Sequence, residues 1–216
     1  MQQLDFTKTK EILRRYKLPY TESYLIKTEG QALKIVKKIG FPVVLKLSSP
    51  ELIHKSDIGG VFTNINDEKQ LTDSFSLLLR NAKKKRIKIE GITLQRQEEG
   101  LEVIIGAKRD PQFGPIILFG LGGLYVEVFK DFSLRIAPID KKLALEMIDE
   151  IKSSSILKGA RGKKPVNINA IIDILLKVSK LMLSNKNIVQ LDLNPVIVNE
   201  KSAKIVDAKI IKNGES

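Results

Sequence analysis

The chain contains one histidine and no cysteine, so nucleophilic or proton-transfer chemistry near neutral pH falls first to that histidine. His54 lies in a polar segment between a predicted strand and the glycine pair Gly59-Gly60, and Asp57 follows it closely. Imidazole titrates near neutral pH without help from its surroundings, and a carboxylate that accepts one ring N–H orients the other ring nitrogen. A surface histidine without a chemical role is the simpler alternative.

A lysine inside an apolar strand is the second candidate. Lys46 interrupts the predicted strand Pro42–Leu47, and strand alternation places its neighbours Leu45 and Leu47 on the opposite face. A buried ammonium group needs an anionic partner, and a bound phosphate is one way to supply it. By pattern alone, a lysine on a solvated sheet face fits equally well.

Glycine pairs follow both of these candidates. Gly59-Gly60 permits positive φ angles and a close approach of the backbone to a ligand, and Gly120-Leu-Gly-Gly123 does the same further along. Neither segment matches a Walker A motif or a dinucleotide-binding fingerprint. Because glycine pairs are also common in hairpin turns, these two segments are weak signals.

Oxygen side chains near the C-terminal end indicate a metal site. Asp192 and Asn194 alternate along the predicted strand Ile188–Val198, so they point to one face, and Asp207 lies in the next predicted strand, Ala203–Ile210. If the two strands pair as a hairpin, three oxygen ligands converge, as Mg²⁺ prefers beside phosphates. We favour this interpretation over a solvated hairpin face, because polar side chains among apolar strands are costly unless they are paired.

The elements around these residues predict two α+β lobes. Strands and amphipathic helices alternate before residue 90, whereas short apolar runs separated by Gly, Pro or Asp dominate afterwards, and Leu124–Phe129 is one of these predicted strands. We expect an α+β (α/β) fold, unlike a doubly wound Rossmann sheet. The expected organisation is an N-terminal helix that packs on the body (1–20), a first lobe with the lysine strand and histidine loop (21–92), and a second lobe with the metal-ligand strands (93–216).

The composition restricts the class of partner. The 216 residues carry a net charge of +12, which fits nucleic acid, an anionic small molecule or an acidic protein. Aromatic residues make up only 6% of the chain and form no base-stacking strand, so nucleic acid is disfavoured. No apolar run has the ~20 residues that a membrane helix needs. The first residues form no apolar signal segment, so we expect a cytoplasmic protein that does not bind membranes.

Eight short motifs in one order resemble a known family. They begin at the lysine strand, continue through the histidine loop and the glycine-rich segments, and end at the metal-ligand strands. In chain order they are Gly40-Phe-Pro-Val-Val-Leu-Lys46, His54-Lys-Ser-Asp-Ile-Gly-Gly-Val61, Glu102-Val-Ile-Ile-Gly106, Arg109-Asp-Pro-Gln-Phe-Gly-Pro115, Phe119-Gly-Leu-Gly-Gly-Leu-Tyr-Val-Glu127, Leu157-Lys-Gly-Ala-Arg-Gly162, Leu191-Asp-Leu-Asn-Pro195 and Val206-Asp-Ala208. This set, from about residue 7 to 212, resembles the ATP-grasp β subunit of ADP-forming acetyl-CoA synthetase.

The resemblance implies a fold and a reaction. The fold is ATP-grasp, with nucleotide in the cleft between two α+β lobes. The reaction is acetyl-CoA + ADP + phosphate ⇌ acetate + ATP + CoA, with ATP or ADP as the substrate nucleotide and Mg²⁺ as the cofactor. It also implies a separate CoA-binding α subunit, joined in an α2β2 heterotetramer, that carries phosphate on a histidine of its own.

The resemblance also implies roles for individual residues. His54 matches a histidine that relays phosphate to ADP, and Lys46 matches a lysine that contacts nucleotide phosphates. Asn194 and Asp207 match the Mg²⁺ ligands, while Asp192 stands where relatives often have the longer glutamate. Further positions match the adenine-binding hinge (Gln95, Arg96, Gln97), the nucleotide vicinity (Glu102, Gly59, Gly60) and two motif positions of open role (Glu127, Arg161).

Two alternatives remain open at this point. A stand-alone ATP-grasp ligase that joins a carboxylate to an amine would use an acyl phosphate and no phosphohistidine. A basic, non-enzymatic nucleic-acid-binding module is indicated by charge alone. The acyl group, the choice between ADP and GDP and the direction of flux are not set by these residues.

Overall fold

The chain forms two compact units, one inserted within the other in sequence. The computed structural model describes residues 1–49, 58–123, 130–160 and 164–214, which form eleven strands and six helices. The smaller unit is Thr21–Gln97, and the larger unit combines Met1–Tyr20 with Glu98–Ser216. No helix within these described ranges has the length and apolar character needed to cross a bilayer.

The smaller unit is an antiparallel sheet in the spatial order β2-β5-β3-β4, with two helices packed against it. The first turn of each helix is capped: Thr28 accepts a hydrogen bond from the Gln31 N–H (3.3 Å), and Asp67 from the Gln70 N–H (2.8 Å). The elements are β2 (Ser23–Ile26), α2 (Glu29–Ile39), β3 (Val43–Ser48), β4 (Val61–Ile65), α3 (Glu68–Lys84) and β5 (Gly91–Arg96).

Strand alternation divides the sheet of the smaller unit into two different faces. Val43, Leu45 and Leu47 of β3 join a hydrophobic core with Ile92 and Leu94 of β5 and with apolar side chains of both helices. The intervening residues of β3 and β5 therefore lie on the other face. Leu45 and Leu47 thus lie opposite Lys46, as the alternation predicts.

The larger unit is built on an antiparallel sheet of seven described strands in the order β1-β11-β9-β6-β7-β8, with β10 also pairing with β9. One sheet face packs on helices to form the main core. The elements are β1 (Gln2–Gln3), α1 (Phe6–Arg15), β6 (Leu101–Asp110), β7 (Gly114–Leu121), β8 (Phe132–Ile136), α4 (Lys141–Glu150), α5 (Ser154–Leu157), α6 (Ile168–Ser184), β9 (Ile188–Val198), β10 (Ala203–Ile205) and β11 (Ala208–Lys212).

The structure differs from the sequence-based expectations in two places. The smaller unit extends to Gln97 rather than to residue 92, because β5 pairs with β2 and β3 as far as Gln95 and Arg96. The predicted strand Ala203–Ile210 is two strands, β10 and β11, and Asp207 lies in the bend between them. The predicted strand Leu124–Phe129 falls outside the described residues.

Candidate functional site

Four residues that the sequence singles out fall outside the described part of the chain. They are His54 and Asp57 of the predicted relay, and the motif residues Glu127 and Arg161. The site is therefore built from the remaining candidates, which fall into one group in each unit.

In the smaller unit, the sheet face away from the core is polar and buried. Lys46 is only 7% exposed, and its strand neighbours on this face, Val44 and Ser48, are also buried. Register places Thr93 of β5 beside Lys46 and Gln95 beside Val44. The Thr93 hydroxyl donates to the Lys46 carbonyl oxygen (3.3 Å), which fixes the backbone at this point. The structure thus favours the buried interpretation of Lys46 over a solvated one.

Gln95 carries an unsatisfied group on this buried face. The residue is 2% exposed, and its side-chain amide nitrogen is the one buried side-chain atom without a hydrogen-bond partner among the described residues. Leaving a buried amide donor unpaired costs about 1–3 kcal/mol. Such a donor is placed to bind an acceptor that the chain itself does not supply.

The two neighbours of Gln95 are instead engaged within the smaller unit. Arg96 donates to the carbonyl oxygen of Ile39 (3.3 Å), the last residue of α2. Gln97 exchanges side-chain hydrogen bonds with Asn64: its carbonyl oxygen accepts from the Asn64 backbone N–H (2.7 Å), and its amide donates to Asn64 Oδ1 (2.6 Å). Of the three hinge candidates, Gln95 is the one with a buried side-chain donor that has no partner among the described residues.

The glycine pair after the histidine loop has a clear local role. Gly59 has φ +61°, which favours glycine. A Cβ at this position would lie 2.9 Å from the Asn81 side-chain nitrogen. That nitrogen donates to the Gly59 carbonyl oxygen (3.0 Å), which ties the loop to α3. The Gly60 carbonyl oxygen accepts from the Leu47 N–H (2.9 Å). Local packing therefore accounts for both glycines, and contact with nucleotide stays a prediction.

In the larger unit, the structure brings the three predicted metal ligands together. β9 and β11 pair antiparallel, with Asp192 opposite Lys209, and the Asn194 N–H donates to the Asp207 carbonyl oxygen (3.1 Å). Asp207 thus lies beside Asn194 although it belongs to a bend rather than to a strand. Leu191 and Leu193 belong to the core, so Asp192 and Asn194 lie on the opposite sheet face.

The charged groups around Asp192 favour the binding of a cation. Burial raises the pKa of the Asp192 carboxyl, the nearby Asp207 carboxylate raises it further, and Lys209 opposes both effects. Within the described ranges, no group of three or more His, Cys, Asp or Glu side chains is arranged to hold a metal. The carboxylates of Asp192 and Asp207 and the amide of Asn194 supply only some of the oxygen ligands that Mg²⁺ needs. Such a site suits an ion that also binds phosphates and water.

Glu102 lies on the same sheet face as Asp192 and contacts the second glycine segment. The Gly122 N–H donates to the Glu102 carbonyl oxygen (2.8 Å), and a Cβ at Gly122 would lie 2.9 Å from Glu102 Cβ. Gly123, with φ +62°, lies beside the Glu102 carboxylate. The glycines thus allow the loop to pack directly against the backbone of Glu102, whose side chain is exposed.

Sequence reasoning missed several residues on this face. Ile104 and Ile197 are buried although they point away from the core, as alternation from the core residues Val103 and Val198 would have revealed. Glu98 accepts from the Lys204 ammonium through both carboxylate oxygens (2.9 and 3.1 Å). No sequence signal pairs two residues so far apart in the chain.

One motif of the resemblance is structural. The Arg109 guanidinium donates to the carbonyl oxygens of Met182, Asn185 (3.1 Å) and Ile188 (3.3 Å), where α6 ends. The N–H groups of Phe113 and Gln112 donate to Asp110 in the β6–β7 turn, and they lower the pKa of its carboxyl. This motif therefore holds a hairpin against a helix end.

Known proteins confirm the resemblance that the sequence motifs indicate. The model of the ATP-grasp domain family matches residues 1–211. The chain is 48% identical over 205 residues to the acetate–CoA ligase [ADP-forming] I subunit beta of Pyrococcus furiosus, covering 94% of this chain and 88% of that one. It is 43% identical to the 4-hydroxybutyrate–CoA ligase [ADP-forming] of Nitrosopumilus maritimus, but the match covers only 29% of that longer protein.

Solved structures agree with this family assignment. The dinucleotide forming acetyl-coenzyme A synthetase 1 of Ca. Korarchaeum cryptofilum, in complex with coenzyme A, Ca-AMPCP and HgCl⁺, superposes with a TM-score of 0.93 and 42% identity over 98% of this chain and 94% of that chain. Another structure of that protein, with coenzyme A and Mg-AMPPCP, has its phosphohistidine segment pointing towards the nucleotide binding site (TM-score 0.83, 40% identity, 97% of this chain and 92% of that chain).

Proposed function

Because the chain belongs to the ATP-grasp family and, within it, to the subunits of ADP-forming acetate–CoA ligases, we propose that it is the nucleotide-binding β subunit of an ADP-forming acyl-CoA synthetase. The reaction is acetyl-CoA + ADP + phosphate ⇌ acetate + ATP + CoA. The nucleotide is ADP or ATP, and the phosphate reaches it from a histidine on a CoA-binding partner subunit. The proposed assembly is an α2β2 heterotetramer.

The observation that carries this proposal is the buried polar sheet face of the smaller unit. Lys46 supplies a cation that is removed from water, and such a charge attracts phosphate more strongly than an exposed one. Gln95 supplies an amide donor that no described group of the chain accepts. A nucleotide would place a phosphate at the Lys46 ammonium and a base edge at the unpaired amide of Gln95. Arg96 and Gln97 hold the neighbouring backbone through their hydrogen bonds to Ile39 and Asn64.

The larger unit supplies the oxygen ligands for Mg²⁺. Asn194 and Asp207 would hold Mg²⁺, with Asp192 adjacent, and the ion would neutralise charge on the transferring phosphoryl group. Burial, and after it the nearby Asp207 carboxylate, raises the pKa of Asp192, and a bound cation would offset both effects. Glu102, which is bonded to the Gly122 loop and lies on the same sheet face as Asp192, is a further candidate for binding the nucleotide.

We propose that His54 is the phosphate carrier of this chain and Asp57 its orienting carboxylate. A neutral ring nitrogen of His54 attacks the phosphorus atom of the partner's phosphohistidine, and the P–N bond to the partner breaks as the new one forms. A terminal phosphate oxygen of ADP then attacks the same phosphorus atom, which releases the imidazole and makes ATP. Lys46 balances the negative charge throughout this transfer.

The acyl group is expected to be chosen by the partner. The relatives that match this chain are ligases for different acids, acetate in one case and 4-hydroxybutyrate in another. The matched part of the 4-hydroxybutyrate enzyme is 29% of its length, so most of that enzyme lies outside the shared nucleotide-binding region. We infer that the chemistry common to both acids resides in this chain and that acyl selectivity resides elsewhere.

The test uses the chain with a CoA-binding subunit and measures ATP formation from acetyl-CoA, ADP and phosphate. His54→Ala should abolish ATP formation while Mg-ADP still stabilises the chain, by about 2.7 kcal/mol at 100 times its Kd. Lys46→Met should remove that stabilisation, whereas Lys37→Met, the same change at an exposed position of the same unit, should not. Labelled phosphate should be trapped on His54 in the wild type.

Other outcomes identify the alternatives. Full turnover of the His54→Ala variant would exclude the relay. An acyl phosphate formed by the chain alone, with no label on histidine, would indicate a carboxylate–amine ligase. Stabilisation by RNA but not by Mg-ADP would indicate a nucleic-acid-binding module.

A further inference from the structure

An exposed apolar patch lies at one edge of the seven-stranded sheet. β8 pairs with β7 and with no other described strand, so it forms one edge of the sheet within the described residues. Its outward side chains are all large and apolar: Phe132 is 40% exposed, Leu134 47% and Ile136 50%. The two residues between them face the core side, where Ser133 donates to the Met147 carbonyl oxygen and Arg135 contacts Glu150 (2.6 Å).

The patch continues onto the next strand. Register places Ile116 beside Ile136 and Leu118 beside Leu134, and both β7 residues are half-buried. We call these five residues, Phe132, Leu134, Ile136, Ile116 and Leu118, the β7–β8 patch. Contiguous apolar surface of this kind is uncommon on monomers and marks contact sites. An edge strand normally carries an outward lysine or another charge that prevents pairing, and the outward face of β8 carries none.

The patch lies on the sheet face that carries the proposed metal ligands. One cross-strand row runs from Lys209 through Asp192, Gly106 and Leu118 to Leu134. Strands lie about 4.8 Å apart, so three spacings place Leu134 about 14 Å from Asp192. An interface of ordinary size, about 800 Å² on each partner, is wider than this distance. A protein seated on the patch would therefore reach the metal ligands.

We propose that the β7–β8 patch is the docking surface for the CoA-binding partner subunit, which sits there while its phosphate-carrying segment reaches the metal ligands. This inference rests on the proposed function. The partner's contact surface would be apolar at its centre, to cover Leu134 and Ile136, and acidic at its margin. Lys108 lies beside Ile116 on the same face and Lys130 precedes β8, so cations border the patch.

Charge argues against a second copy of this chain as the occupant. Each copy carries a net charge of +12, so a symmetric dimer would bring two basic proteins together. A partner with an acidic margin gains attraction where a second copy meets repulsion. The relatives point the same way, because the matched region in the 4-hydroxybutyrate enzyme is part of a single longer polypeptide, of which it covers 29%.

The test compares two double variants of the full chain. Leu134→Glu/Ile136→Glu introduces two charges into the patch, and Leu77→Glu/Leu79→Glu introduces the same charges at equally apolar, 39% exposed positions of α3. Mg-ADP stabilisation should be unchanged in both and thereby show that both are folded. Calorimetric titration with the CoA-binding subunit should show at least a tenfold loss of affinity for the patch variant and less than a threefold change for the control. Turnover of the patch variant should recover at high partner concentration.

Three results would overturn the proposal. Two are binding results: an equal loss of affinity in both double variants, or wild-type affinity in the patch variant. The third is a dimer of the wild-type chain in sedimentation equilibrium, together with a patch variant that is monomeric. The binding and turnover measurements separate this proposal from the proposed function. Wild-type chain that binds the subunit through the patch but makes no ATP contradicts the proposed function alone. Wild-type turnover with a patch variant that binds normally contradicts docking alone.

Discussion

At the residue scale, neighbouring side chains of similar type have different roles because their partners differ. Gln95 and Gln97 are two positions apart, yet the Gln97 side chain both accepts from and donates to Asn64, whereas Gln95 has an amide nitrogen without a partner among the described residues. Sequence reasoning treated both, together with Arg96, as one hinge segment. Only long-range contacts distinguish the residue with an unpaired amide from the two that hold the backbone.

The unpaired amide predicts a trade-off at Gln95. Gln95→Leu removes a buried donor without changing the side-chain size much, so the free protein should keep or gain stability, by about 1 kcal/mol. The same change should weaken Mg-ADP binding about tenfold, which isothermal calorimetry would measure. Gln97→Leu is the matched control: it breaks the pair with Asn64, so it should lower stability and leave the Mg-ADP affinity within a factor of three. If Gln95→Leu destabilises the free chain and binds normally, Gln95 is structural.

The burial of Asp192 beside Asp207 predicts a pH-dependent effect. The pKa of Asp192 is raised, so its charged form costs stability at a pH above that pKa. Asp192→Asn should therefore raise the melting temperature of the metal-free chain at neutral pH, by roughly 2–4 °C for each kcal/mol relieved. The gain should shrink as the pH falls through the pKa of Asp192, where the wild type is protonated too. Mg²⁺-dependent nucleotide binding should weaken in the same variant.

The control for this effect is Asp73→Asn on the exposed side of α3. It should change neither the melting temperature nor Mg²⁺-dependent binding. A wild-type melting temperature for Asp192→Asn at all pH values would contradict close contact between the two carboxylates.

At the element scale, single side chains hold the connections between strands and helices. Asp131, directly before β8, is buried and accepts from the N–H groups of Lys152 and Ser153 (2.8 Å each) and from the Ser153 hydroxyl. These bonds fix β8 to the turn between α4 and α5. Burial by itself would raise the pKa of this carboxyl, but the bonds from Ser153 and Lys152 outweigh burial and lower it.

This anchor predicts a second, opposite pH dependence. Asp131→Ala should cost about 2–3 kcal/mol, because two buried N–H groups lose a charged acceptor. Since the pKa of Asp131 is lowered on folding, its stabilisation is present above the unfolded-state pKa and is lost as the pH falls through the folded-state pKa. The difference in unfolding free energy between wild type and variant, measured by urea denaturation, should therefore be largest at neutral pH. Asp149→Ala, at an exposed ion pair with Lys158, should cost less than 1 kcal/mol.

At the scale of the whole molecule, the smaller unit is an insertion with adjacent ends. Ser23 pairs with Gln95, so the chain enters and leaves the four-stranded sheet side by side. In the larger unit, Tyr20 forms a bridge with Ile205 while Glu98 pairs with the adjacent Lys204. The two ends that flank the insertion are thus held on β10. Each unit also has its own hydrophobic core.

This arrangement predicts that the larger unit folds without the smaller one. Replacing residues 21–97 with a Gly-Ser linker of about four residues should leave a cooperatively unfolding protein with the circular dichroism of a mixed α/β domain. It should show no stabilisation by Mg-ADP, because Lys46 and Gln95 are absent. The isolated segment 21–97 is the companion protein and should fold as well. A deletion variant that exposes its core, as shown by dye binding and loss of cooperativity, would contradict two independent cores.

The sequence by itself determined most of the described strands and helices and, within them, which side chains share a face. The alternation around Lys46 and the helix Glu29–Ile39 follow from periodicities of 2.0 and 3.6 residues, which are local properties of the chain. Only the tertiary structure decided that Asp207 lies in a bend beside Asn194, that Gln95 rather than Gln97 lacks a partner, and that the N-terminal helix belongs with residues 98–216. These features depend on contacts between residues far apart in sequence, and no local periodicity encodes them.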